Sequence, residues 1–285
     1  MADAPAPSPA SVAFTFLVVM AVFFVAWMWS GGPDDPRSKT GILLEPPPPL
    51  GTGEVYGELP DIIKIAKNSL PSRYAWGTSI SVDNNSGVPT ISLAPTATSS
   101  ALTITGWKMV NSRGMVATIP KATRSFMQGV INSTEDVIVE RREEVIVSDT
   151  TSPVGVSFKV DRCSGFLEEF QDFNPPLSLS CPSPVELVRA RGANPPDASC
   201  ASYVENLPSC QIGLNSGYSS LSQSCRGYVA DTISQQSCVE KFGGRFDFFV
   251  PEWRVYLGSP GFFNPASDTI YIFDQDGALV GTSSW

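Results

Sequence analysis

Leu102-Thr103-Ile104-Thr105-Gly106-Trp107-Lys108-Met109, followed by Gly114 and then by Ala117-Thr118-Ile119-Pro120, is the stretch on which the reading of the fold turns. Leu102-Thr103-Ile104 alternates apolar and polar, the mark of a half-buried strand. Gly106 permits a close turn, and Trp107 behind it is large enough to cap a hydrophobic core. Asn111-Ser112-Arg113-Gly114 is a turn sequence, and Val116 to Ile119 reads as the strand that returns from it.

Similar short runs flank this block. Ile80-Ser81-Val82, Ile91-Ser92-Leu93, Val137-Ile138-Val139 and Val145-Ile146-Val147 are β-branched or alternating, with Asn84-Asn85-Ser86-Gly87 as a turn between the first two. Near the end, Trp253-Arg254-Val255-Tyr256-Leu257 alternates and Thr269-Ile270-Tyr271-Ile272-Phe273 follows. Asp274-Gln275-Asp276-Gly277 suits a hairpin turn, with Ala278-Leu279-Val280 as the returning strand. A calcium loop is the competing reading of these acids. It fails because glycine directly follows the second acid and no glutamate closes the loop. Many short strands punctuated by turns argue for a mainly β chain built as a sandwich. Gly106, Trp107 and Trp253 are its expected core positions. Glu140-Arg141-Arg142-Glu143 reads as a solvated turn or edge between two apolar triplets.

The pattern changes between Cys163 and Cys238. Cys163, Phe166, Leu167 and Phe170 fall at helical offsets, Cys200, Tyr203, Val204 and Leu207 repeat them, and Cys225, Tyr228 and Val229 begin a third set. Prolines at 175, 176, 182, 184, 195 and 196 break the stretch. The expectation is a helical insertion over 163–245, stapled by its cysteines. All six cysteines of the chain lie in this segment, with no C-x-x-C pair. An even, clustered set in a chain without histidine reads as a disulfide framework, which persists in oxidising compartments. Six cysteines allow 15 pairings. If the helices starting at Cys200 and Cys225 form an antiparallel hairpin, the ranking is Cys210–Cys225 at the loop end, Cys200–Cys238 at the open end and Cys163–Cys181 from what remains.

Ahead of the β-rich part, Ala10 to Trp29 carries no charge and ends in Trp27-Met28-Trp29. Its length matches the hydrocarbon thickness of a bilayer, and indoles favour the headgroup level. A cleaved signal peptide would require a basic segment before the run and a small-residue site after it, and neither is found. One transmembrane helix is therefore expected at 10–29, after a short tail at 1–9. Residues 30–53 form a stalk, stiffened by Pro46-Pro47-Pro48-Pro49, and 54–285 form the folded domain. Arg37 and Lys39 follow the run and by themselves favour a cytoplasmic C-terminal side. The cysteines argue for the opposite orientation, a single pass through the cell membrane with the domain extracytoplasmic.

The quoted block resembles the signature of lamin-tail-like domains, also called intermediate-filament tail-like domains, in which an edge strand leads into a Gly-Trp segment, a turn and a strand ending in proline. Asp268 to Val280 is similar to that family's last hairpin. The resemblance runs from about Val55 to the C-terminus and implies an immunoglobulin-like β-sandwich. The cysteine-rich stretch departs from the lamin domain and looks like a membrane-anchored bacterial variant. The family implies no catalytic residues and no cofactor. With no histidine, Ser-His-Asp and Cys-His catalysis and Cys/His zinc sites are excluded. A net charge of −9 disfavours nucleic acid as a partner. What remains is a non-enzymatic cell-surface protein that binds or tethers an extracellular protein, glycan or envelope polymer. The alternative is a structural protein that self-associates edge to edge, and an enzyme ranks below both. Asn84-Asn85-Ser86 and Asn132-Ser133-Thr134 match the N-glycosylation pattern, a triplet that often arises by chance.

Overall fold

The computed structural model describes residues 9–29, 70–75, 77–83, 88–96, 100–212 and 217–285, with backbone alone for 9–16, Trp27 and Trp29. The tail at 1–8, the proline stalk and the Asn84–Gly87 turn lie outside the described residues. The chain divides into two units, residues 1–56 and 57–285.

In the first unit, α1 (Pro9–Trp29) is helical over 21 residues with no acidic first turn and no basic last turn. Among the described residues, however, no helix is long and apolar enough to cross a membrane. Within α1 those described side chains are 17–26 and Met28, all exposed.

The second unit is a β-structure with a helical cap. Its strands are β1 (Thr78–Asp83), β2 (Thr90–Pro95), β3 (Leu102–Thr103), β4 (Lys108–Val110), β5 (Val116–Thr118), β6 (Ala122–Thr123), β7 (Ile138–Val139), β8 (Glu144–Ser148), β9 (Ser157–Asp161), β10 (Phe249–Tyr256), β11 (Thr269–Phe273) and β12 (Leu279–Ser284). A six-stranded sheet runs β1-β2-β8-β10-β9-β6, a four-stranded sheet runs β12-β11-β4-β5, and β3 pairs with β7. The pairs β8/β10 and β6/β9 are parallel and the others antiparallel.

Alternation explains how the two larger sheets meet. Ile91 and Leu93 of β2, Val145 and Val147 of β8, and Trp253 and Val255 of β10 share one buried cluster with Met109, Ile270, Ile272 and Val280 of the four-stranded sheet. Trp107 and Trp253, exposed by 0% and 2%, both belong to it. Gly106 sits at φ +83°, where an L side chain is strained, and its N–H donates to Ile119 O at 2.9 Å. Trp107 thereby turns inward while its carbonyl accepts from Ile119 N. At the final hairpin, Gly277 has φ +80° and Asp274 Oδ1 accepts from Asp276 N and Ala278 N at 3.0 and 2.9 Å. The Asp274 carboxylate thus closes a turn.

The outer face of the six-stranded sheet is also covered. Tyr256 points away from Trp253 and Val255 and packs with Phe126, Phe158, Val160, Leu167, Phe173 and Leu177. The cover is the cap, which leaves the sheet after β9 and re-enters it at β10, so its bounds are 162–248 where 163–245 was expected. It contains a 3₁₀ helix (Ser164–Glu169), α2 (Pro184–Arg191), α3 (Ala198–Glu205), α4 (Gln223–Thr232) and α5 (Gln235–Phe242). Ser183 caps α2, Glu186 completes a capping box, Pro184 opens the helix and Gly192 closes it at φ +74°.

The disulfides correct the expected pairing. They are Cys163–Cys238, Cys181–Cys210 and Cys200–Cys225, and not Cys163–Cys181, Cys200–Cys238 and Cys210–Cys225. α3 and α4 do not bring the loop end of one against the start of the next. Their N-termini meet, with Ser222 Oγ donating to Asp197 Oδ2 at 3.4 Å. Cys238 lies on α5, a helix with no expected counterpart, and Cys210 lies beyond the end of α3. The segment at Cys163 also differs: it is a 3₁₀ helix, so Phe166 and Leu167 are buried while Phe170 is 47% exposed.

Candidate functional site: an uncharged groove beside the cap

A groove of about 430 Å³ lies between three segments distant in sequence, residues 126–132, 153–156 and 167–171. Among the described residues, no charged side chain lines it.

The first wall is the loop after β6. Asn132 folds back into it: its Oδ1 accepts from Met127 N at 2.8 Å, and its Nδ2 donates to Met127 O and Val130 O at 3.0 and 3.1 Å. Gln235, at the start of α5, holds the other side. It donates from Nε2 to Phe126 O at 2.7 Å and accepts at Oε1 from Gln128 N at 3.1 Å. The loop is thus fixed by side-chain bonds to its backbone, and it presents Val130 and Ile131 at 50% and 103% exposure. Such a fixed apolar tip is a feature of binding surfaces, because the ordering cost has been met before a ligand arrives.

The second wall is the turn from Pro153 to Val156. Ser152 Oγ donates to Val156 O at 2.7 Å, and Gly155 sits at φ +81°. Leu167 and Phe170, at the end of the 3₁₀ helix, form the third. Phe126 and Leu167 root the groove in the aromatic cluster over β9 and β10.

The expected solvated turn at Glu140–Glu143 requires correction at its last residue. Glu140, Arg141 and Arg142 are exposed, and Arg142 turns at φ +70°. Glu143 is 8% exposed and forms an ion pair with Lys159, itself 4% exposed. Glu143 Oε2 also accepts from Glu140 N at 3.0 Å and Trp253 Nε1 at 3.3 Å. Alternation places Glu143 on the same face as Val145, toward the core.

Three hydroxyl–carboxylate pairs, Ser72–Asp274, Ser92–Glu144 and Ser112–Asp268, resemble parts of a nucleophile–base pair. Asp274 and Asp268 serve as turn hubs. Asp268 accepts from the amides of Ser112, Asn264 and Thr269 as well as from Ser112 Oγ. Burial raises its pKa, but these four bonds outweigh burial and hold it below the ordinary value.

Gly106, Trp107 and Trp253, the positions singled out in the sequence, lie in or beside the sandwich core and do not line the groove. The groove residues carry no motif. Their one sequence signal is Asn132-Ser133-Thr134, where the amide that a glycan would modify is bonded into the loop. No protein-family model matches this chain, and neither a curated protein nor a solved structure matches it.

Proposed function

We propose that this chain is a non-enzymatic binding module held at the outer side of a cell membrane by a single helix, with the groove as its contact surface. The carrying observation is that all six cysteines are paired and buried inside one cap. Such bonding belongs to oxidising compartments. Anchoring is supported by the sequence alone: Ala10 to Trp29 carries no charge, matches the hydrocarbon thickness in length and ends in Trp27-Met28-Trp29. The partner class is an extracellular protein, glycan or envelope polymer that is uncharged where it meets the groove, since among the described residues no lining side chain would neutralise a charge. We further propose that the sandwich is of the immunoglobulin-like, lamin-tail-like type. The Gly106-Trp107 turn and the final β11/β12 hairpin support that reading.

The test is topology and attachment. The full chain should stay with membranes through carbonate extraction, and a fragment starting near Gly53 should be soluble. Protease added to intact cells should remove the domain and leave a short anchored piece. Release by carbonate would refute the anchor, and protection until lysis would reverse the orientation. A second reading, edge-to-edge assembly, is favoured by β5, an edge strand whose first residue Val116 and preceding residue Met115 are 53% and 42% exposed. Sedimentation that shifts with protein concentration would select it.

A further inference from the structure

The cap is rooted in the sandwich where β9 ends and β10 begins. Asp161 and Phe249 are register partners across that junction, and Arg162 N donates to Phe248 O at 2.9 Å. Asp161, the last residue of β9, is 3% exposed. Its Oδ1 accepts from Cys163 N at 2.8 Å and from Ser164 Oγ at 3.1 Å, while its own N–H donates to Ser164 Oγ at 2.9 Å. Among the described residues, Asp161 Oδ2 is buried without a hydrogen-bond partner. The side-chain bonds of Asp161 therefore run into the start of the 3₁₀ helix Ser164–Glu169, which carries Leu167 and leads to Phe170 in the groove wall.

A buried carboxylate with one oxygen lacking a donor is poorly matched to a full negative charge. Burial pushes the Asp161 carboxyl up and the bonds from Cys163 and Ser164 partly oppose it, leaving it at about 6 against an ordinary 3.8. Charged groups on the surrounding elements have partners of their own. On β9 and just beyond, Lys159 pairs with Glu143 and Arg162 with Asp247; on β10, Arg254 pairs with Glu252. Glu168 and Glu169 accept from Leu177 N and Ile212 N, and Arg124 lies over the Phe249 ring at 5.2 Å.

We infer that Asp161 is a proton-operated latch at the root of the cap: taking up a proton tightens the junction and firms the helical wall of the groove, and losing it loosens both. The seated junction binds the proton more tightly than an opened one, in which Asp161 regains the ordinary carboxyl value. Seating is therefore favoured as pH falls through about 6 towards 3.8, and gains nothing further below that. The whole range is worth about 100-fold in the ratio of seated to opened junction, with about tenfold falling between pH 7 and pH 5.

The proposal rests on the groove as the contact surface, but its readout needs no ligand, so either can fail without the other. Amide hydrogen exchange of the full chain is measured at pH 5 and pH 7 and corrected for the intrinsic rate. Residues 164–171 should be about tenfold better protected at pH 5. Asp161→Asn, which imitates the neutral acid, should hold protection at the acid level at both values. Ser164→Ala removes a donor to the carboxylate and should move the midpoint to higher pH, which keeps the test open where the first variant folds poorly. Equal protection of the unmodified chain at the two pH values would overturn the latch, as would an undiminished difference in Asp161→Asn.

Discussion

Lys159→Met is the substitution from which most can be learned about the sandwich. Lys159 stands opposite Trp253 in the β9/β10 register, and Glu143 immediately precedes β8 on the far side of β10. Their ion pair therefore spans β10 at the margin of the hydrophobic core, with Lys159 Nζ 5.3 Å from the Trp253 ring and 5.5 Å from that of Phe249. Methionine keeps most of the lysine stem and removes the charge. The Glu143 carboxylate would retain the donors Glu140 N and Trp253 Nε1 and lose its cation. Removing one partner of a buried pair costs about 3–5 kcal/mol. The two remaining donors place this case near the lower end, about 3 kcal/mol. Glu143→Gln should cost somewhat less, about 2 kcal/mol, because the ammonium keeps two aromatic faces. The double variant removes both charges and should lie within about 1 kcal/mol of the parent, giving a coupling of roughly 4 kcal/mol. Urea unfolding with disulfides intact, followed by tryptophan fluorescence, measures all four corners of the cycle. A Lys159→Met cost below about 1 kcal/mol, or single effects that simply add in the double variant, would refute the pairing argument.

Trp107→Ala should cost about 3–5 kcal/mol in the same assay, since the ring is fully buried in the shared core; a folded variant of unchanged stability would mean that Trp107 is no core residue. Gly165→Ala places a Cβ 2.5 Å from Cys210 Sγ and 2.9 Å from Cys181 Sγ, so it should lower stability by about 1–3 kcal/mol and leave free thiols at these cysteines in non-reducing peptide maps. A fully oxidised, equally stable variant would contradict that packing. Reduction removes loops with cysteine separations of 75, 29 and 25 residues, each worth roughly 3.5–4.5 kcal/mol by chain entropy. Exchange protection in 163–242 should therefore fall before that of β2 and β8, and simultaneous loss would show that the cap and sandwich are one cooperative unit.

How much of this was legible depended on how many faces of an element are buried. β1, β2, β8 and β11 alternate because one face meets the core, and their positions follow from the sequence. β9 does not announce itself: Ser157, Lys159 and Asp161 occupy alternate positions and all are buried, because both faces of that strand are covered. α2 gives no periodic signal for the opposite reason. Only Pro184 and Leu187 of its eight residues are buried, too few for a periodic signal, and its evidence lies in the capping residues at Ser183, Glu186 and Gly192. The groove was not legible at all. Its three segments are joined by tertiary packing alone, and the residues that order it, Asn132 and Gln235, bond to backbone atoms, which no side-chain pattern reveals.

The disulfide pairing follows from the helix caps. Asp197 caps α3 and accepts from Cys200 N; Ser222 caps α4 and accepts from Cys225 N. Each cysteine therefore stands three residues after its N-cap, in the first turn of its helix. An antiparallel hairpin would place a first turn against a last turn, and two cysteines at matching first-turn positions could not then meet. Matching positions imply that the two helix starts converge, as the Ser222–Asp197 hydrogen bond shows that they do. With Cys200 and Cys225 joined, Cys210 is free to pair with Cys181 over Gly165, whose lack of a side chain leaves room for both sulfurs. Cys163 and Cys238 then tie the root of the cap to α5. That cystine lies two residues from Asp161, and the residue opening α5, Gln235, holds the groove loop. The root of the cap, the latch proposed there and the loop that shapes the groove thus share one short covalent framework.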